Sequence, residues 1–213
     1  MIDEAVSAED AAARADLVLL STPVGGLKNV LARMLPHLGA ATVLTDAGST
    51  KAEVVQAARE ALAGSIGRFV PGHPIAGAER TGPDAADPGL YRGRTVILTP
   101  LAENSVQSVD LVRRAWQACG ASVIDMDAGS HDRLLASVSH LPHLLSAVYM
   151  EQVATAADAR TRLDLAGSGF RDFTRIAAGS PEMWRDIFLS NRDAMLAELA
   201  DVRAVLDLSL IHI

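Results

Sequence analysis

Apolar and polar positions follow two different rhythms along this chain, and the change between them falls near residue 126. Before it, short apolar runs bounded by turn residues alternate with longer segments of helical spacing. The first run is Ala15-Asp16-Leu17-Val18-Leu19-Leu20-Ser21, closed by Ser21-Thr22-Pro23. A short continuous run of this kind predicts a strand buried on both faces, as in a parallel sheet. From Val24 to Leu38, apolar residues at Val24, Leu27, Val30, Leu31, Met34, Leu35 and Leu38 recur at helical spacing. The same alternation predicts strands over 41–45, 68–70, 94–98 and 121–124, and helices over 51–62 and 103–119. A short Ala-rich helix is expected over 8–15. Gly72–Gly77 reads as a loop, and residues 78–93, rich in Gly, Pro and Asp, as an irregular excursion. Alternating strands and helices argue for a parallel or mostly parallel sheet with helices on its faces.

Beyond residues 125–132 no strand is expected. His131 to Ala157 is long and apolar, interrupted only by Pro142, which should kink a helix there. Ser180-Pro181-Glu182 is a helix start, with a serine cap, a proline in the first position and an acid in the first turn. The helix it opens is expected to carry Ile187, Met195, Leu199, Val202 and Leu206 near one stripe. The reading is therefore an α/β domain over 1–126 and an all-α domain over 127–213. The last residues, 208–213, break the helical pattern and resemble translated adapter sequence. They are expected not to be native, in which case His212 carries no meaning.

Composition narrows the partners. Hydrophobic residues are 49% and charged residues 21% of the 213, enough for a sizeable core. The net charge is -7 with no basic block, which argues against nucleic acid and anionic membranes. No apolar run approaches the roughly 18 residues of a membrane span. Cys119 is the only cysteine, so neither an intramolecular disulfide nor a cysteine zinc site is expected, and a cytoplasmic setting fits.

Several residues can carry chemistry. His73 precedes a proline, which holds it extended, and Gly72 and Gly77 allow close approach of a ligand. It is either a site residue at a strand end, where α/β folds bind ligands, or a surface histidine without a role. His140 and His143 are three apart on one helix face. They are metal ligands or packed side chains, and no carboxylate nearby completes a metal set. Arg171 and Arg175 are four apart, interleaved with Phe170, Phe173 and Ile176, which predicts a segment at least half buried. Buried arginines would grip a carboxylate bidentately; the alternative is a solvated face. Trp184 walls such a site or belongs to the core. Asp46-Ala47-Gly48-Ser49-Thr50-Lys51 lies between a strand and a helix. Ser49 or Thr50 caps that helix, or the turn lines a cofactor crevice, with Ser21-Thr22-Pro23 one strand earlier.

Taken in order, these motifs resemble the prephenate (or arogenate) dehydrogenase family of tyrosine biosynthesis. The resemblance rests on Leu20-Ser21-Thr22-Pro23-Val24, Asp46-Ala47-Gly48-Ser49-Thr50-Lys51, Gly72-His73-Pro74-Ile75-Ala76-Gly77 and Ser139-His140-Leu141-Pro142-His143. It continues through Gly169-Phe170-Arg171-Asp172-Phe173-Thr174-Arg175-Ile176-Ala177 and Met183-Trp184-Arg185-Asp186-Ile187-Phe188, covering about residues 15 to 207. It implies a partial Rossmann-type domain followed by an all-α dimerisation domain. It also implies oxidative decarboxylation of prephenate, with hydride passed to NAD or NADP. Arogenate is the alternative substrate, and a non-catalytic binding or dimerisation module the alternative role. By motif match His73 is the base and Ser49 helps hold the ring hydroxyl. Arg175 binds a substrate carboxylate, and His143, Arg171 and Trp184 line the pocket. Ser21, Thr22, Pro23 and Gly48 face the cofactor. The family's first strand and glycine-rich pyrophosphate turn have no counterpart here. The chain is thus expected to be truncated at its N-terminus, to bind cofactor poorly by itself, and to form a homodimer through the helical domain.

Overall fold

The computed structural model describes residues 3–77 and 86–212, the last without its side chain. Residues 78–85, within the expected irregular excursion, lie outside the described residues. The chain divides into two compact units, Met1–Asp132 and Arg133–Ile213.

The first unit runs α1 (Ala8–Arg14), β1 (Leu17–Leu20), α2 (Leu27–Met34), β2 (Val43–Asp46) and α3 (Ala52–Leu62). It continues with β3 (Phe69–Val70), β4 (Gly72–Pro74), β5 (Thr95–Leu98), α4 (Val106–Ala118) and β6 (Ser122–Asp125). β1, β2 and β3 pair in parallel, with Leu17 opposite Val43 and Leu44 opposite Phe69. Every residue of β2, Val43 and Leu44 as well as the polar Thr45 and Asp46, is buried, as the middle strand of a parallel sheet covered on both faces requires. Leu20, Leu27, Leu31, Leu44, Leu62 and Phe69 form one core layer with α2 and α3. Val70, Val96, Leu98, Val112 and Trp116 form another under α4.

Two features depart from the expected pattern. Gly72–Pro74, expected as loop, is a strand, and it pairs antiparallel with β5, placing His73 opposite Ile97. The sheet pairing is thus mostly parallel with one antiparallel joint. No helix lies between β4 and β5 among the described residues, and an antiparallel pair needs no crossover. α4 supplies the crossover that lets β5 and β6 run parallel. The strand from Phe69 to Pro74 is broken at Pro71, which has no N–H to donate to a ladder. Its carbonyl still accepts from Thr99 N–H at 3.0 Å.

The junction between units falls inside α5 (Ala128–Leu135), which continues through a π turn at Ala136–His140 into α6 (Leu141–Ala154). Pro142 lacks an N–H and would clash with the carbonyl four residues back. The helix answers with a widened turn, in which Leu141 N–H bonds to Ala136 O, five residues earlier. Then come α7 (Ala159–Asp164), α8 (Ser168–Thr174), a 3-10 turn at Arg175–Ala178, α9 (Pro181–Ser190) and α10 (Arg192–His212). Ser180 caps α9, accepting from Met183 N–H at 3.3 Å. The single helix expected after Ser180 is two, divided at Asn191. The expected break at residue 208 is absent, since α10 continues to His212. Ala136, Leu141 and Met195 centre this unit's core, with Leu145, Phe188, Leu199 and Val202 around them.

Candidate active site

In the first unit the carboxyl ends of β1 and β2 lie side by side, joined by Ala47 N–H donating to Leu20 O at 3.0 Å. Asp46 ends β2 and is buried. Its Oδ2 accepts from Gly48 N–H at 2.8 Å and from the Lys51 ammonium, and its Oδ1 from Gly72 N–H at 3.0 Å. One carboxylate therefore fixes the turn after β2 and the first residue of β4, beside His73. Burial lowers the pKa of Lys51, and the adjacent Asp46 and the charge of Asp132 oppose that. Neither glycine has room for a side chain. A Cβ on Gly48 would lie 2.8 Å from Asp46 Oδ2, and one on Gly72 3.1 Å from Asp46 O.

The cap of α3 is neither Ser49 nor Thr50. Lys51 N–H donates to Asp132 Oδ1 and Ala52 N–H to Asp132 Oδ2, both at 2.8 Å. Asp132 reaches this place from α5, whose own start is capped by Asp127 accepting from Ser130 N–H at 2.8 Å. The next residues on that helix are His131, fully buried, and Asp132, 5% exposed. His131 Nδ1 lies 2.7 Å from Asp132 Oδ1, and His131 Nε2 lies 2.8 Å from His73 Nδ1. His73, half buried, thus ends a row that starts at the N-terminus of α3: backbone N–H, Asp132, His131, His73. Burial works to raise the Asp132 pKa. The bonds from His131, Ala52 N–H and Lys51 N–H outweigh it and hold the carboxyl below its ordinary range.

His131 and Asp132 were not among the candidates of the sequence reading. An adjacent His–Asp pair in a capped first turn was legible. That the pair reaches a histidine 58 residues earlier, and a helix end 80 residues earlier, was not.

Ser21, Thr22 and Pro23 follow β1. Ser21 and Pro23 are exposed, while the Thr22 hydroxyl is buried without a hydrogen-bond partner among the described residues. Gly48 and Ser49 are half buried one strand over.

In the second unit His143 donates from Nδ1 to Ser139 O at 2.9 Å and stacks on Trp184, ring centroids 3.7 Å apart and planes inclined by 22°. Burial lowers its pKa, the Ser139 bond opposes this, and the Arg175 guanidinium lowers it further. His143 is therefore neutral at neutral pH. Trp184 rests on Gly179, where a Cβ would lie 2.6 Å from Nε1, and tilts onto Phe188. With Ala147, Ile176 and Pro181 these residues line an apolar cavity of about 440 Å³. His140 is not in that lining: it is buried, meets Trp184 edge-on with ring centroids 6.3 Å apart, and accepts from Asn191 Nδ2 at 3.0 Å, between α9 and α10.

The arginine segment departs from its expected burial. Arg171 lies in α8 and Arg175 opens the 3-10 turn that follows, and both are exposed, as is Phe173 at 46%. α8 has seven residues and rests on α6 through Phe173 O, which accepts from Ser146 Oγ at 3.0 Å. That footing leaves its charged positions on the surface of the unit. No cluster of metal-ligating side chains occurs among the described residues.

Known proteins resolve the family. Residues 1–125 match a family model described as the prephenate dehydrogenase nucleotide-binding domain, and residues 127–208 match the prephenate dehydrogenase dimerization domain. The chain belongs to the prephenate dehydrogenase family.

It is 38% identical over 195 residues to a cyclohexadienyl dehydrogenase of Zymomonas mobilis, covering 90% of this chain and 65% of that protein. Against a solved prephenate dehydrogenase of Aquifex aeolicus, in complex with hydroxyphenyl propionate and NAD+, the TM-score is 0.85 at 34% identity. That match covers 93% of this chain and 68% of the other. A Synechocystis arogenate dehydrogenase structure matches with a TM-score of 0.79 at 29% identity, over 97% of this chain and 74% of that one. The chain spans 65%, 57% and 48% of the length of three curated relatives it matches. The family fold, a Rossmann-like α/β part followed by a helical one, is the fold described above. Among the described residues no helix is long and apolar enough to cross a membrane.

Proposed function

We propose that this chain contributes the base and the substrate pocket for oxidative decarboxylation of prephenate to 4-hydroxyphenylpyruvate, with NAD or NADP as hydride acceptor. The observation that carries this reading is the fixing of His73. Its backbone is tied through Gly72 to Asp46, and its ring is bonded to His131 at 2.8 Å. A histidine held in this way has a defined direction for proton transfer.

The cofactor's residues fit. The buried Thr22 hydroxyl lacks a partner among the described residues, at the carboxyl end of a parallel strand where such folds take dinucleotides. Ser21, Thr22, Pro23 and Gly48 would hold the nicotinamide half. The bound cofactor supplies the site that accepts hydride from the ring carbinol.

His73 Nε2 takes the proton of the ring hydroxyl as the carbinol carbon is oxidised. The electron pair of the departing carboxylate enters the ring, CO2 leaves, and the proton returns to the phenolate oxygen. Ser49 orients the hydroxyl. In the helical unit Arg175 and Arg171 bind substrate carboxylate, bidentate recognition being the strength of a guanidinium. The neutral His143 and stacked Trp184 give the ring an apolar wall. The dimerization-domain match supports a homodimer through this unit.

The test is steady-state turnover of prephenate and of arogenate with either cofactor, in the protein containing these residues. His73→Asn should lower kcat by about 10²–10⁴-fold with little change in KM. An unchanged kcat removes His73 from the mechanism, and turnover of arogenate alone replaces prephenate as the substrate.

A further inference from the structure

We propose that His131 and Asp132 are positioning residues that set the tautomer of His73, with the proton on Nδ1 and the lone pair on Nε2. This rests on the reading of His73 as the base, and it deepens that reading.

The direction of the row follows from donors and acceptors alone. Lys51 N–H and Ala52 N–H can only donate, and both point at the Asp132 carboxylate. Two fixed donors at a helix N-terminus favour the ionised carboxylate, which can only accept. The contact at 2.7 Å therefore places a proton on His131 Nδ1. A neutral His131 then has its lone pair on Nε2. The 2.8 Å contact to His73 requires His73 Nδ1 to be the donor. The remaining ring nitrogen, His73 Nε2, is left unprotonated, and it is the atom a base must offer. Without the row a solvated imidazole divides its proton between both nitrogens, and the form protonated on Nε2 cannot accept.

The same row serves the charged state. When His73 Nε2 takes a proton, the imidazolium keeps its Nδ1–H on His131, which is backed by the Asp132 carboxylate. The three groups are ordered by two elements, β4 and α5. Because His131 is fully buried, water does not compete for either of its nitrogens.

Glutamine offers the same pattern as His131 here, an amide N–H for Asp132 and a carbonyl oxygen for His73, at a similar spacing. Leucine offers neither. The experiment is long-range proton–nitrogen NMR on the full chain labelled with ¹⁵N-histidine, with His73 assigned by its absence in His73→Asn. Wild type should show His73 protonated on Nδ1 and bare on Nε2. His131→Gln should keep that signature, and His131→Leu should shift it towards Nε2–H. In turnover, His131→Leu should lower kcat by about 10²-fold at unchanged KM and His131→Gln by less than about 10-fold, the scale set by general-base catalysis. A wild-type His73 protonated on Nε2 overturns the proposal, whether or not His131→Leu folds. So does a His131→Leu variant with wild-type tautomer and wild-type kcat. The expected tautomers together with an unchanged kcat in His73→Asn would refute the base role of His73 and not the positioning.

Discussion

Replacing Asp132 with Ala removes the acceptor of three donors: Lys51 N–H, Ala52 N–H and His131 Nδ1–H. Ala52 is exposed, so water takes over its N–H. Lys51 and His131 are both 0% exposed, and their donors are left in the interior. An orphaned buried donor costs about 1–3 kcal/mol, so two of them cost about 2–6 kcal/mol. The lost cap of α3 lies inside this range, since a helix cap contributes about 1 kcal/mol. We expect a loss of about 3 kcal/mol, or a fall in melting temperature of roughly 6–12 °C for a chain of this size. The assay is urea unfolding followed by Trp116, which packs edge-on against Tyr91 at 5.1 Å in the core of the first unit. Trp184→Phe in the background leaves Trp116 as the only tryptophan, so the signal reports on that unit. The pH dependence has a definite sign. The folded pKa of Asp132 lies below its ordinary 3.8. Its stabilisation is therefore whole above that value and is lost as pH falls through the lower folded one. The gap between the variants should be full at pH 7 and narrow only in strong acid. A gap at pH 7 below about 0.5 kcal/mol, the size of an ordinary surface change, would refute the capping role.

Gly72→Ala should displace the start of β4, because the new Cβ meets Asp46 O at 3.1 Å and Leu98 Cδ2 at 3.2 Å. A cost of about 1–3 kcal/mol in urea unfolding is expected, with kcat reduced alongside. Gly179→Ala should push Trp184 off His143, since the Cβ would sit 2.6 Å from the indole nitrogen; loss of near-ultraviolet circular dichroism from Trp184 in a Trp116→Phe background checks it. His143 has its pKa depressed below the ordinary 6.5. The helical unit should keep its full stability above that value and lose it as pH falls towards the lower folded pKa, and His143→Gln should flatten this limb. Comparing urea midpoints at pH 7.5 and 5.5 reads the difference, and equal slopes for the two proteins would contradict it.

The sequence by itself determined every element whose signal is local. The apolar run Leu17–Leu20 became a strand as expected, but not one covered on both faces: β1 is the outer strand of its sheet, with Leu20 buried and Leu19 42% exposed. Ser180 and Pro181 started a helix where the chain chemistry requires one. The order of motifs pointed to the family, because a motif's residue types are themselves local. The tertiary structure decided what depends on a second element arriving. It gave α3 its cap from Asp132 instead of Ser49 or Thr50, turned β4 antiparallel, and split the last helix at Asn191. It also set Arg171 and Arg175 on the surface of their unit, where interleaved aromatics had suggested burial. The sharpest case is His131, which in the sequence is only the first residue of a long apolar segment. A side chain's tautomer and burial are fixed by partners far along the chain, and no periodicity near His131 carries information about His73 or the first turn of α3.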